Sequence, residues 1–598
     1  MINRKYDIVV VLVIILVIAF SFPRCAKVVA PSGGPRDTIP PVPINTEPPN
    51  YSTNFNSEKI EIEFNEFLQF KEMTKQFIAS PPFEEKPEIK LKGKDVEIRL
   101  WGKLDGNTTY TLNFGNAIRD FTENNPIKNF RYVFSTGDCI DSMAIAGIVK
   151  DAFTLEPMEN VTVMLYDDLT DSIPYRKIPD YVARTDEKGQ FFISNIRKDT
   201  FKLFALHEMN NNYLYDNYTE KIGFTDSLVT FEQELFEEQD TIFVENDSIE
   251  KKDRIIDTVK EKTYYDYPVN EYAIKMFQED KGEQYLKTGT RPRAMKLNFV
   301  FNRPVWDTLK LNVFDTISHK EQWFFKEMNQ RKDTIEYWIT DSSLYNREYL
   351  PIYITYKKKD SLHNEIWTTD SIELRYVSKK NEWIDDSVSL SPSIKNNQQI
   401  DLNQTIYYSS EIPLTNFKSE GFCLYEVKDS VYKEETFTAS MDHHHIFIRK
   451  DWKSNKKYRL VVLPETVSFL YDFYQEGPDT LDFKTRSSEE YGDMLLRLKN
   501  IDTSYIIHLL KGEDKVVRKA HNSPAKENVV EFNYLDPGDY KIRLIVDRNN
   551  NGKWDTGDYL KHKQPEIVIY YDEKIEIRAN WDHEFEWNLN MSNREKIQ

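Results

Sequence analysis

The sequence is poor in cysteine, sparing with glycine and short of positive charge. Three cysteines in 598 residues, Cys25, Cys139 and Cys423, are too few for a disulfide scaffold. Cys139 and Cys423 fall in different candidate domains, so they are not paired here. The net charge is −19. That argues against nucleic acid, whose binding needs cations and counterion release, and against docking on anionic lipid by charge alone. Also missing are the G-x-S-x-G elbow, H-E-x-x-H, G-x-x-x-x-G-K-[ST] and G-x-G-x-x-G. What is there is aromatic mass, with 36 Phe and 35 Tyr. Such residues fit pleated, half-buried surfaces.

There is one long apolar run, residues 8–22, "IVVVLVIILVIAFSF", preceded by Arg4 and Lys5. A basic start and a short apolar core are the marks of an export signal. The run is shorter than the ~20 residues that span a bilayer comfortably. Cys25 follows at once and points to lipoprotein processing, with 1–24 removed and Cys25 lipidated. Phe22, Pro23 and Arg24 before it depart from the small residues usual there. The alternative is an uncleaved anchor with its basic end inside. Either way the remainder faces an extracytoplasmic compartment. Residues 25–39, rich in Pro and Gly, read as an extended tether.

Beyond the tether, period-2 alternation dominates, as in "SEKIEIEFNEFL" and "DVEIRLWGKL". Length allows roughly four domains at ~150 residues each. The predicted order is a sandwich over 40–138, a second over 143–225, an acidic segment over 226–263, a strand-rich domain over 264–380, and sandwiches over 388–487 and 492–590. The last two echo the first two. Tyr110 answers to Tyr458, Asp120 to Asp472, and Phe134-Ser135-Thr136 to Phe483-Lys484-Thr485. "HEMNNNYLYD" answers to "VDRNNNGKWD". A repeat of whole domains marks an array.

The pieces "IPPVPINTEPPNYSTNF", "IEIEFNEFL", "TTYTLNF", "IRDFTENN" and "YVFSTG" resemble the bacterial Ig-like domain of S-layer and cell-surface proteins, over about residues 40–137. "AGIVKDAFTLEPMENVTVMLY" and "TDEKGQFFISNI" resemble a prealbumin-like or carboxypeptidase-regulatory-like sandwich, in that family a spacer and not a catalyst. With the Cys and "PSGGPRDTIPP" ahead of them, the whole resembles a Bacteroidota-type outer-membrane lipoprotein. The resemblance implies an all-β tandem array anchored by lipid at the outer membrane, on the surface or periplasmic face, with a membrane or envelope protein as partner. Its role would be a non-catalytic scaffold or protein-binding component, such as part of an envelope biogenesis or transport assembly. An adhesin or glycan-binding array and an enzyme with Ig-like accessory domains are the alternatives; the second would need a pocket, with residues 264–380 the place to look.

One stretch suggests an ion. Asp547, Asn549 and Asn551 stand at positions one, three and five of a loop, with Gly552 at six, Lys553 at seven, Asp555 at nine and Asp558 at twelve. Calcium takes six to eight oxygens from such alternating positions. Asp558 is shorter than the usual final Glu, which favours a β-module loop over an EF-hand. Glu208, Asn210, Asn212 and Asp216 form a weaker version, with Tyr213 where the glycine should be. The alternative is a hairpin turn, since Asn and Asp cap their own backbone. Tyr215 and Trp554, at matching positions, read as packing anchors. In "SMDHHHIFIRK" strand alternation would let only His443 and His445 share a metal. No third ligand shows, and a polar hairpin is the preferred reading.

Overall fold

The computed structural model describes residues 37–231, 270–280, 282, 284–305, 309–314, 323–359, 365–377, 387–471, 473–475, 477–523 and 528–589. The expected signal, Cys25, most of the tether and the acidic segment from 232 onward lie outside these residues. Among the described residues the only α-helices are the four-residue Met73–Gln76 and Ser342–Tyr345. None is long and apolar enough to cross a membrane.

The described chain is an all-β tandem array of sandwiches. Strand Lys59–Phe64 shows why the alternating pattern folds this way: Ile60, Ile62 and Phe64 are wholly buried, while Glu61 and Glu63 face water. Its neighbour Asp95–Arg99 adds Val96 and Ile98 to the same core. Each fully buried side chain of this kind contributes ~1.5–3 kcal/mol.

The fourth sandwich repeats the first in atomic detail. Tyr110 stacks on Phe134 with centroids 5.3 Å apart, and Tyr458 on Phe483 at 5.6 Å. The Tyr110 hydroxyl accepts from the Asp105 N–H, as the Tyr458 hydroxyl does from Lys453. The Thr136 and Thr485 hydroxyls donate to the carbonyls of those same two residues, each at 2.7 Å.

The second and fifth sandwiches also share a plan. In the second, the opening strand Met143–Asp151 pairs antiparallel with Gln190–Ile196 and parallel with Asn270–Gln278. In the fifth, Gly492–Lys499 pairs antiparallel with Asn528–Leu535 and parallel with Asp582–Asn588. This corrects the expected boundary at 264. Ile274 and Met276 belong to the core of the second sandwich, and Asn270–Gln278 also pairs with Lys221–Phe224. The chain returns after the acidic segment to supply the last strand. The third sandwich therefore begins near Leu286, with Leu286–Arg293, Lys296–Phe301, Thr334–Ile339 and Phe324–Met328 in one sheet. Lys310–Val313, Tyr349–Lys359 and Glu365–Arg375 form its other sheet.

The sandwiches touch beyond their order in sequence. Arg303 of the third donates to the Gly282 carbonyl in the link from the second. Trp338 of the third is buried in the core of the fourth. Arg486 and Asp536 join the fourth to the fifth at 2.8 Å. The fifth then packs back on the second, so sandwiches two to five form a closed circuit of contacts. The first sandwich joins this circuit at the second, where the Ser80 hydroxyl accepts from the Val182 N–H at 3.0 Å.

Candidate ligand loops and interfaces

The loop after strand Gly538–Val546 is organised by Asp547, whose side chain is wholly buried. Its Oδ1 accepts from the Asn551 N–H at 3.0 Å and its Oδ2 from the Gly552 N–H at 2.7 Å. His521 Nε2 lies 2.9 Å from the same Oδ2. The side-chain amides of Asn549 and Asn551 both donate to Asp555 Oδ2. The Lys553 N–H donates to Asn551 Oδ1. Asp558 stands apart and ion-pairs with Lys561 at 3.0 Å. Sequence reading missed Glu566. It reaches in from the returning chain, accepts from the N–H groups of Arg548 and Asp555 at 3.0 Å each, and is 7% exposed. Burial pushes its carboxyl above the ordinary glutamate range, and the nearby Asp555 and Asp547 charges push the same way.

The earlier loop is built alike. Glu208 Oε2 accepts from the Tyr213 N–H at 2.9 Å, and the amides of Asn210 and Asn212 donate to Asp216. Glu220, buried, accepts from the Met209 N–H at 2.9 Å, as Glu566 does from the residue after Asp547. Tyr213 stands where the later copy has its glycine. It takes the left-handed conformation, φ 62°, that Gly552 takes at φ 76°.

After Asp555 the later loop becomes a clasp on the second sandwich. The Thr556 hydroxyl donates to the Gln278 carbonyl at 2.7 Å. The Tyr559 N–H donates to Glu279 Oε1 at 2.6 Å, while Tyr215 donates its hydroxyl to Glu279 Oε2 at 2.8 Å. The Tyr559 ring is 2% exposed and packs edge-on against Phe204 and Phe224 at 5.2 and 5.1 Å. Trp554 meets Phe153 at 5.1 Å, and the Arg543 guanidinium sits 4.2 Å from the same ring. Tyr215 and Trp554 thus both work as anchors between sandwiches.

The histidine run does not follow strand alternation, because strand His445–Arg449 starts only at its last member. His443 packs on Phe325 and His445 bonds Asp442. His444 turns to the third sandwich, with Nε2 2.8 Å from Glu327 Oε2. Among the described residues, Glu327, Glu336 and His444 form the one group of three His, Cys, Asp or Glu side chains whose ligand atoms all lie within 4.8 Å of each other.

A polar cleft of about 1440 Å³ opens between the first and second sandwiches. Seven Lys and Arg side chains line it against five Asp and Glu, among them Lys71, Arg119, Lys128, Arg131 and Lys188. It is a cation-rich patch on a chain of net charge −19.

The bacterial Ig-like domain family matches residues 37–136, which are the first sandwich. No curated protein matches the chain. Among solved structures the chain is similar to the S-layer protein SbsC, at 9% identity over 90% of this chain and 67% of that one, TM-score 0.13. The major pilin subunit BcpA of Bacillus cereus matches at 8% identity over 75% of this chain and 99% of that one, TM-score 0.14. The titin Ig tandem A164-A165 matches at 8% identity over 34% of this chain and 97% of that one, TM-score 0.13. With TM-scores this low, these likenesses carry no argument of their own.

Proposed function

We propose that the chain is a non-catalytic, lipid-anchored scaffold of the cell envelope that binds a membrane or envelope protein at the outer membrane. The observation that carries this reading is the clasp of residues 556–564 on the second sandwich, with Tyr559 at its centre. It turns four sandwiches into a braced body instead of a loose string. Such a body presents fixed surfaces, and the apolar run with Cys25 supplies a mooring at the other end. Rigid presentation lowers the ordering cost of binding a partner.

The test is made on the native full-length chain. Radiolabelled palmitate should enter the wild type and not Cys25→Ala, and one stable membrane protein should co-purify with the detergent-solubilised wild type. A chain found free of lipid and without a protein partner would overturn the proposal.

The proposal extends to calcium in loop 547–558, bound by Asp547, Asn549, Asn551 and Asp555 with Glu566 beside them and the Lys553 carbonyl at position seven. What supports it is the loop's frame: buried Asp547 holds the Asn551 N–H, the Asn551 amide reaches Asp555, and Glu566 holds the Asp555 N–H. Calorimetric calcium binding that Asp547→Asn removes would uphold it; heat-silent titration would end it. A second reading, an adhesin for an anionic glycan, draws support from the cation-rich cleft. It requires saturable, salt-sensitive binding that is lost in Lys71→Glu with Lys128→Glu.

A further inference from the structure

Two carboxylates face each other across neighbouring strands of the third sandwich. Glu327 and Glu336 are direct partners in the register of Phe324–Met328 with Thr334–Ile339. Like charges placed directly opposite destabilise a strand pair, so this pairing calls for positive charge beside it. Lys296 supplies part of it, with Nζ 2.8 Å from Glu336 Oε2 and 4.7 Å from the centre of the Trp338 ring. Two carboxylates and one ammonium still leave the cluster one charge negative.

The remaining neighbour comes from the fourth sandwich. His444 Nδ1 lies 2.8 Å from the Ser410 carbonyl, which can only accept. The proton of a neutral ring therefore sits on Nδ1. Its Nε2 lone pair is then aimed at Glu327 Oε2, 2.8 Å away, an oxygen that already accepts from the Trp338 indole N–H at 3.0 Å. Two acceptors facing each other need something positive between them. An imidazole that gives one N–H to a main-chain carbonyl and turns its other nitrogen to carboxylates has the arrangement of a metal-binding histidine. The three side chains are partly exposed, which leaves water free to complete the coordination.

We propose that Glu327, Glu336 and His444 form a divalent metal site, with zinc the favoured ion, that staples the third sandwich to the fourth. One imidazole and two carboxylates plus a water make a tetrahedral nitrogen–oxygen set that suits zinc. Calcium and magnesium take oxygen ligands and would not use the imidazole. The staple would act where Trp338 already enters the fourth core, so metal binding should stiffen an existing contact.

The full-length chain, stripped with chelator and re-equilibrated, is titrated with zinc chloride by calorimetry and examined by X-ray absorption. The expected result is one high-affinity zinc per chain in an all-nitrogen-and-oxygen shell, with affinity reduced roughly tenfold or more in Glu327→Gln and in His444→Gln. His443→Ala should bind as the wild type does. Glu336→Gln gives an independent reading should either first variant fail to fold, as judged by circular dichroism. No zinc uptake would show an ordinary ion pair with a doubly protonated His444 and overturn the proposal. So would uptake that survives all three ligand substitutions, or a shell containing sulfur.

Discussion

The loops at 208–220 and 547–566 share one turn and put it to different uses. Both begin on an acid that accepts the N–H five residues on, both tie two Asn amides to a second acid, and both are closed by a buried glutamate. They part after the second acid. Three residues, 217–219, separate Asp216 from Glu220, whereas ten, 556–565, separate Asp555 from Glu566. The seven additional residues fall within the segment that clasps the second sandwich. A turn kept constant by its own hydrogen bonds can thus carry an insertion outward without disturbing its base. The earlier copy, lacking the insertion, is the surface that gets clasped.

If the clasp is what distinguishes the copies, Tyr559→Ala should have the largest effect. Truncating a fully buried aromatic costs about 3–5 kcal/mol. It should lower the urea midpoint of the full-length chain and raise hydrogen exchange in both the second and fifth sandwiches, which only a shared interface would couple. Gly557→Val tests the same contact from the other side. A Cβ there would lie 2.5 Å from the Phe277 ring, so overpacking should cost ~1–3 kcal/mol. An unchanged midpoint in both variants would remove the clasp from the account.

Within the turn, the acids differ in burial, Asp547 being wholly buried and Glu208 partly exposed. Asp547→Ala leaves the N–H groups of Asn551 and Gly552 without their acceptor and should cost about 1–3 kcal/mol. Glu208→Ala should cost less, because water can replace the lost oxygen. Equal losses would contradict the burial argument.

Acid should also separate the copies. His508 lies on strand Tyr505–Lys511 of the fifth sandwich, 8% exposed, with Arg543 donating to its Nδ1 at 3.0 Å. Burial, then the Arg543 and Lys519 charges, hold its pKa down at about 4, against 6.5 for the free group. The unfolded chain therefore binds the proton first. The stability that His508 contributes is present above pH 6.5 and is lost as pH falls from 6.5 toward 4. Strand Thr162–Tyr166, which holds the same place in the second sandwich, carries no histidine. Hydrogen exchange between pH 7 and 5 should rise in the fifth sandwich ahead of the second, and His508→Leu should flatten the difference.

The strands were legible because a half-buried strand prints its inner face every second residue, as Ile60, Ile62 and Phe64 do. Partnership was not. Asn270–Gln278 reads as a strand from its sequence, but nothing local says that it runs parallel to Met143–Asp151 across a long intervening segment. The two Asn- and Asp-rich loops were legible as copies of one another by their spacing. Glu566 and Glu220 were hidden because different lengths of chain precede them. Aligning the copies from the far end, on the strands Lys221–Phe224 and Val568–Tyr570, would have exposed both. His444 was misjudged because alternation was applied to a turn. Tyr559 carried no signal in the sequence, since most of its cage comes from the second sandwich.

The smallest effect tests the likeness of the turns most directly. Tyr213 holds a left-handed backbone at φ 62° despite its Cβ, at the place where Gly552 has φ 76°. For an ordinary side chain that conformation costs about 1–2 kcal/mol. Comparing Tyr213→Gly with Tyr213→Ala cancels the lost ring packing and leaves the backbone term, so the glycine variant should be the more stable by roughly 1 kcal/mol. Gly552→Ala should lose a similar amount, because its new Cβ meets only His521 at 3.4 Å and so pays mainly the conformational cost. Hydrogen exchange at the two loops reads both differences. Matching values would mean that one backbone conformation is imposed on both sequences by the acid–amide frame. A large value at 552 with none at 213 would mean that Tyr213 relaxes out of the turn, and that the two loops are alike in sequence spacing alone.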